Sequence, residues 1–219
     1  MMITMVTEEP HRRMSRDERR QLVLETTLSS LARHGAEGTS LRSVCRDMGV
    51  VPSLMSHFFS GWHEVLAAAY SLLTTRFLSQ LAHVPAQDSA DAHARMGAMI
   101  RRYLSTDWAG ENTVTAMLGF WQLSRSVVDL QAPFGQFLAD RHAVIRDAMA
   151  ALVHEAGVQA DIDEVTSCFI LMMDGIWLHM SVSPGNITAA QAENMCWGWL
   201  AERLGQPSWR RPPASEQLH

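Results

Sequence analysis

Apolar residues recur at helical spacing along nearly the whole chain, while the strict alternation of a half-buried strand is scarce. That pattern confines the fold to packed helices, and glycine and proline divide the 219 residues into about nine of them. Ser15 and Glu18 form a capping box that opens the first helix; Leu24, Thr27, Leu28 and Leu31 mark its buried face, and Gly35 ends it. A second helix, at about 41–48, carries Leu41, Val44, Cys45 and Met48 at i, i+3, i+4 and i+7, a one-sided stripe. Gly49 follows, where a left-handed residue costs least. Pro52 suits the first turn of a third helix, at about 52–59, with Met55 and Phe59 inward. Further helices are expected at about 61–84, stopped near Pro85, and at about 90–105, 112–130, 133–156, 162–182 and 188–204, the last opened by a Thr188–Gln191 capping box. Residues 86–93 read as a loop and 106–112 as a turn. The expected organisation is an N-terminal arm at 1–14, a three-helix head at 15–77, a helical body at 78–204, and a polar, proline-rich tail at 205–219 that reads as disordered.

Net charge is −5, unevenly placed. Residues 1–60 hold eight Arg against seven acids, and the rest holds ten Arg against sixteen. Five Arg fall within 12–20, and no lysine occurs anywhere, so every fixed positive side chain is a guanidinium. A locally basic head on an acidic body suits a partner with phosphates. Cys45, Cys168 and Cys196 are odd in number and far apart, which reads as reduced, small hydrophobic residues rather than a disulfide framework or zinc site. No metal or cofactor is expected. No apolar run reaches the roughly 18 residues that cross a membrane, and MMITMVTEEPHRR is no signal region, so a soluble, cytoplasmic protein without a membrane partner is expected. Enzyme chemistry is not indicated: ten His are present, but no H-x-x-x-H, no H-E-x-x-H, no G-x-S-x-G and no phosphate-cradling glycine loop.

The second and third helices are too short to be stable alone and must lean on their neighbours. With Met55 and Phe59 buried, Ser53, Ser56 and His57 point outward, and a short helix offered in this way fits a major groove about 12 Å wide. The stretch TSLRSVCRDMGV, followed by a short helix ending in His-Phe-Phe, resembles the DNA-binding domain of TetR-family repressors over about residues 17–77. The resemblance implies an all-α fold, a helix-turn-helix head on a ligand-binding and dimerisation body, and DNA contacts at matching positions. Thr39 or Ser40 would bond a phosphate, and Arg42 a phosphate or a guanine edge. Ser53, Leu54, Ser56 and His57 would face bases and phosphates, and Phe58 would pack inward or touch a thymine methyl. Two departures stand out. Val51 replaces a common capping Ser, a loss of about 1 kcal/mol. Trp62 replaces a frequent Lys, removing one phosphate charge and about one unit of salt slope, while its indole N–H still offers a donor. The rival for the head is a protein-binding rather than a DNA-binding surface.

Residues 165–180, VTSCFILMMDGIWLHM, are apolar nearly all round, which implies burial on two sides. Phe169, Met172, Met173 and Ile176, together with Met195, Cys196 and Trp199, are expected at the four-helix seam of the homodimer that the family implies. Asp174 interrupts the run, with Trp177 beside it on the same face. It reads either as a carboxylate bonded to a neighbouring helix or as a counter-charge for a cationic ligand, with Trp108, Phe120 and Trp121 as further walls of an aromatic cage. G-F-W at 119–121, M-M-D-G-I-W-L at 172–178 and S-H-F-F at 56–59 resemble BetI-type repressors, which implies a choline-like effector; a neutral lipophilic effector held by methionines is the alternative.

Overall fold

The computed structural model describes residues 14–82, 91–183 and 185–209. The arm before Met14, the stop near Pro85, most of the loop at 86–93 and the tail from 210 onward lie outside that range. Every regular element among the described residues is a helix. The helices are α1 (Arg16–Gly38), α2 (Leu41–Met48), α3 (Trp62–Ala82), α4 (Ala92–Tyr103), α5 (Thr106–Ala109), α6 (Glu111–Ser124), α7 (Gln131–Ala156), α8 (Ile162–Val182) and α9 (Ala189–Arg203), with 3-10 turns at Pro52–His57 and Val128–Leu130.

Local chemistry sets most of these boundaries. Ser15 and Glu18 close a reciprocal capping box on α1, and Thr188 and Gln191 do the same for α9. α1 breaks at Gly35, whose φ of 64° and ψ of −171° are non-helical. Ser40 caps α2 and Gly49 ends it with φ 68°. Gly157 ends α7 in the same left-handed region.

Four expectations need correction. The segment after Pro52 is a six-residue 3-10 helix, not an α-helix reaching 59. Val51 gives it no side-chain cap, and Leu54 and Phe58 donate to the carbonyls of Val51 and Met55, three residues back. α6 stops at Ser124 instead of continuing to 130. There the hydroxyls of Ser124 and Ser126 donate to the carbonyls of Trp121 and Leu123, at 2.9 and 3.3 Å, in place of a further helical turn. The turn expected at 106–112 contains one turn of helix that carries Trp108 into the core. The tail is placed as far as Trp209, whose ring lies 5.4 Å from His93 and 6.2 Å from Trp197.

In the head, α2 packs on α1 and on the 3-10 helix, with Val44, Cys45, Met55 and Phe59 all buried. α3 then runs without interruption past residue 77 into the body, where it packs on α7. An extensive interface joins α1 to α6. There a Cβ on Gly119 would sit 3.4 Å from the Leu31 side chain and 3.5 Å from the Ala36 nitrogen, so two helix backbones meet at close range. Contrary to the expectation that no apolar run is long enough to cross a membrane, α8 meets that length and composition, alone among the described residues. Its Val165, Phe169, Met173, Ile176 and Trp177 are buried in the bundle.

Candidate functional site

The head presents a small polar face. In the 3-10 helix Met55 is buried, as is Phe59 just beyond it, while Ser53, Ser56 and His57 are exposed and Leu54 and Phe58 are half-buried. The Ser56 hydroxyl donates to the Ser53 carbonyl at 2.8 Å. Two arginines of α1 brace the segment: Arg16 donates to the His57 carbonyl at 3.1 Å, and the Arg20 guanidinium lies 4.7 Å from the Phe59 ring centroid.

Ser40 and Arg42 are exposed at the start of α2, where helix geometry leaves N–H groups without intrahelical acceptors. The Ser40 hydroxyl accepts from the Ser43 N–H, and Ser40 donates its own N–H to Ser43 at 2.8 Å. Thr39 is buried, its hydroxyl 3.1 Å from that of Ser30, so it braces α1 and does not face out. Arg46, absent from the sequence candidates, lies one turn beyond Arg42 on the same exposed face, and the spacing i, i+4 was the signal that could have found it. Trp62 opens α3 half-buried against the core. Beside it Glu64 accepts from the Ser60 N–H at 2.6 Å, a bond that holds its carboxyl below the ordinary value.

A second constellation lies in the body. Tyr103 of α4, Trp108 of α5, Met117 and Trp121 of α6, Phe137 and Arg141 of α7, and Asp174 and Trp177 of α8 line one small cavity. Arg141 grips Asp174 with both terminal nitrogens, at 2.8 and 3.0 Å. Tyr103 donates its hydroxyl to Asp174 and accepts from Arg141 at 2.9 Å. Burial pushes the Tyr103 phenol well above its ordinary value, so it stays a donor. The Trp177 indole donates to the Trp108 carbonyl at 3.1 Å, and its ring centroid lies 5.8 Å from that of Trp121. Phe77 of α3 stacks on Trp108 at 3.8 Å, tying the helix shared with the head to the cavity wall. These side chains close on one another to leave room for about one water.

The structure thus gathers Trp108, Trp121, Asp174 and Trp177, but not Phe120, which is buried edge-on against Tyr70 at 5.2 Å. Of the two sequence readings of Asp174, the bond to a neighbouring helix is the one observed: its charge is matched by Arg141, 33 residues away. Sequence reasoning missed Arg141. Its signal was an arginine four residues after Phe137 and four before Ile145, on a stripe that is otherwise apolar and buried.

The outer surface of α8 and α9 also differs from expectation. Phe169, Met173, Ile176 and Cys196 are buried within the single chain, and Met172 and Trp199 are half-buried. The apolar side chains left outside are Leu171 (70% exposed), Leu178, Val182 and Met195 (50%), with Gly175 and Gly198 among them. Met195 is the one expected seam residue that lies exposed; the others are set off from the exposed side chains by a slip of one or two positions around the helix, because a run that is apolar all round does not mark which stripe faces the chain's own core.

Residues 92–205, more than half of the chain, match the family model described as the C-terminal part of BetI-type transcriptional repressors. The HTH-type transcriptional regulator BetI 2 of Chromohalobacter salexigens is 26% identical over 192 residues, covering 85% of this chain and 88% of that protein. Among solved structures, a transcriptional regulator from Pseudomonas aeruginosa PAO1 superposes with a TM-score of 0.81 at 24% identity, covering 90% of this chain and 97% of the other. A transcriptional regulator from Saccharomonospora viridis, solved in complex with choline, superposes with a TM-score of 0.70 at 17% identity over 85% of this chain and 96% of the other. These relatives are regulators rather than enzymes.

Proposed function

The chain belongs to the BetI-type transcriptional repressors of the TetR family, a family of DNA-binding regulators, and from that premise we propose that it acts as a homodimer on a palindromic operator and is released by a small effector bound in the body. The observation that carries this reading is the convergence of Trp108, Trp121 and Trp177 on one cavity whose walls reach the head by two routes. One route is α3, through Phe77 stacked on Trp108. The other is α6, which supplies Met117 and Trp121 to the cavity and presses Gly119 against α1.

In the head, Ser40, Arg42 and Arg46 serve the phosphates, Ser53, Ser56 and His57 read base edges, and Leu54 and Phe58 offer apolar contact to thymine methyls. Trp62 replaces a point charge with an indole N–H, and the neighbouring Glu64 carboxylate adds repulsion, so the salt slope of binding is shallow. Thr39 takes no part, because its hydroxyl is buried on Ser30. The outer face of α8 and α9, with Leu171, Leu178, Val182 and Met195, meets its two-fold copy, and Gly175 and Gly198 permit close approach. The division into a head at 15–77 and a body at 78–204 belongs to the same proposal, with α3 as the shared beam.

The effector class is choline or another quaternary amine, for which three indole faces are a suitable wall. The choline complex of the Saccharomonospora regulator supports this class. A small cavity walled by an ion pair suits a compact ligand better than a long lipophilic one. Since it admits about one water as it stands, the ligand must displace α4, α6, α7 or α8, and the heads move with them. A coupling of about 1–3 kcal/mol between ligand and DNA is typical of such devices.

The test is a band-shift titration with the DNA upstream of the protein's own gene, with and without choline. A specific shift that choline weakens supports the reading. A chain that binds this DNA no better than unrelated duplex, or stays monomeric at the working concentration, overturns it.

A further inference from the structure

Resting on the reading of the aromatic cavity as the effector site, we infer that its ligand is a zwitterion, a quaternary ammonium bearing a carboxylate on the same short chain, rather than a simple cation. The first ground is charge. The cavity already contains one fixed cation and one fixed anion, Arg141 and Asp174, in direct contact at 2.8 Å. A lone cation placed against the tryptophans finds Asp174 neutralised, and Arg141 repels it about as strongly as Asp174 attracts it. A ligand of no net charge leaves that balance intact, and its two ends can face the residue of opposite sign.

The second ground is hydrogen bonding. Two buried N–H donors on residues of this cavity, Arg141 Nε and Trp121 Nε1, have no acceptor among the described residues. Buried donors are ordinarily satisfied, and two in one cavity call for an acceptor supplied from outside. A trimethylammonium group offers none, and an alcohol offers one weak oxygen. A carboxylate offers two anionic oxygens, and charge-assisted bonds to guanidinium and indole are the stronger kind. The third ground is size: the side chains close to leave room for about one water, so a compact ligand with its two charged ends close together needs the least opening of the bundle.

Four probes of nearly one shape separate these terms: trimethylglycine, choline, and their neutral-carbon counterparts 3,3-dimethylbutanoate and 3,3-dimethylbutanol, titrated by calorimetry and tryptophan fluorescence into the full-length protein. Trimethylglycine is expected to bind at least about tenfold more tightly than choline and than 3,3-dimethylbutanoate, and to release DNA at correspondingly lower concentration. The variant Trp121→Phe keeps an aromatic face and removes the donor; it should reduce the ratio of trimethylglycine to choline affinity several-fold, whatever the change in choline affinity itself. Choline binding as tightly as trimethylglycine, or a preference unaltered by Trp121→Phe, overturns the zwitterion while leaving the effector cavity in place. If none of the four binds, the cavity reading falls as well.

Discussion

In the head, the serines of the exposed face are held by near neighbours, Ser40 by Ser43 and Ser56 by Ser53, whereas in the cavity Asp174 meets Arg141 across 33 residues and Tyr103 across 71. The first arrangement lets a surface change one residue at a time. Each helix keeps its caps, so a serine or histidine that faces bases can be replaced without stranding a partner elsewhere. The second arrangement is a unit. Tyr103, Arg141 and Asp174 satisfy one another inside the bundle, and removal of one leaves a buried charge or donor alone. A regulator needs both, since target sequences drift while a switch must stay coupled.

The sharpest way to break this contrast is Asp174→Ala. It should lower unfolding stability by about 3–5 kcal/mol, because Arg141 is left charged and buried. The double change Arg141→Met with Asp174→Leu should recover most of that loss while abolishing the ligand response. Denaturant titrations of both variants measure it, and a loss below about 1 kcal/mol for the single change would show that the trio is no unit.

Next in size is Gly119→Leu, which forces a branched side chain into the place where α6 approaches Leu31 and Ala36. A loss of about 1–3 kcal/mol is expected, together with weaker DNA binding, since α1 carries the braces of the reading segment. Stability and operator affinity that are both unchanged would remove this interface from the coupling path.

In the head, Arg42→Ala should leave stability within about 0.5 kcal/mol and reduce the slope of log affinity against log salt by about one unit. Band shifts at several salt concentrations decide between a phosphate contact and none.

The smallest expected effect belongs to the ion pair between α1 and α3. Arg76 holds the Glu25 carboxyl below the ordinary carboxylate value. The contribution is therefore complete above the unfolded-state value and is lost as pH falls through the lower folded-state one. Both side chains are over a third exposed, so the amount is at most about 0.5 kcal/mol. Melting curves on acidification, compared with Glu25→Gln, should differ above that window and converge below it.

The same division between local and distant partners explains what could be read in advance. Helix starts and stops written in adjacent residues, the Ser15–Glu18 and Thr188–Gln191 boxes and the left-handed Gly49 and Gly157, were legible from spacing alone. So was the inward face of Met55 and Phe59. The choice of 3-10 over α geometry after Pro52 was not, because it follows from a missing cap and a competing serine hydroxyl whose effects are each small. Nor was the docking of Trp209 on Trp197 and His93, since a polar, proline-rich neighbourhood masks one aromatic anchor. Three tryptophans of the cavity were foreseen by type and by family resemblance, but Arg141 was hidden. A helical stripe tells that a position is buried, not which distant carboxylate makes burial tolerable.

The three cysteines differ in access. Burial pushes the Cys196 thiol up to about 12 and raises that of Cys45, whereas Cys168 lies exposed on α8. At neutral pH a thiol reagent will therefore modify one sulfur first, on the helix proposed to meet its copy. The speed of that modification, followed as the protein is diluted, is a clock for assembly that requires no mutation and no attached dye.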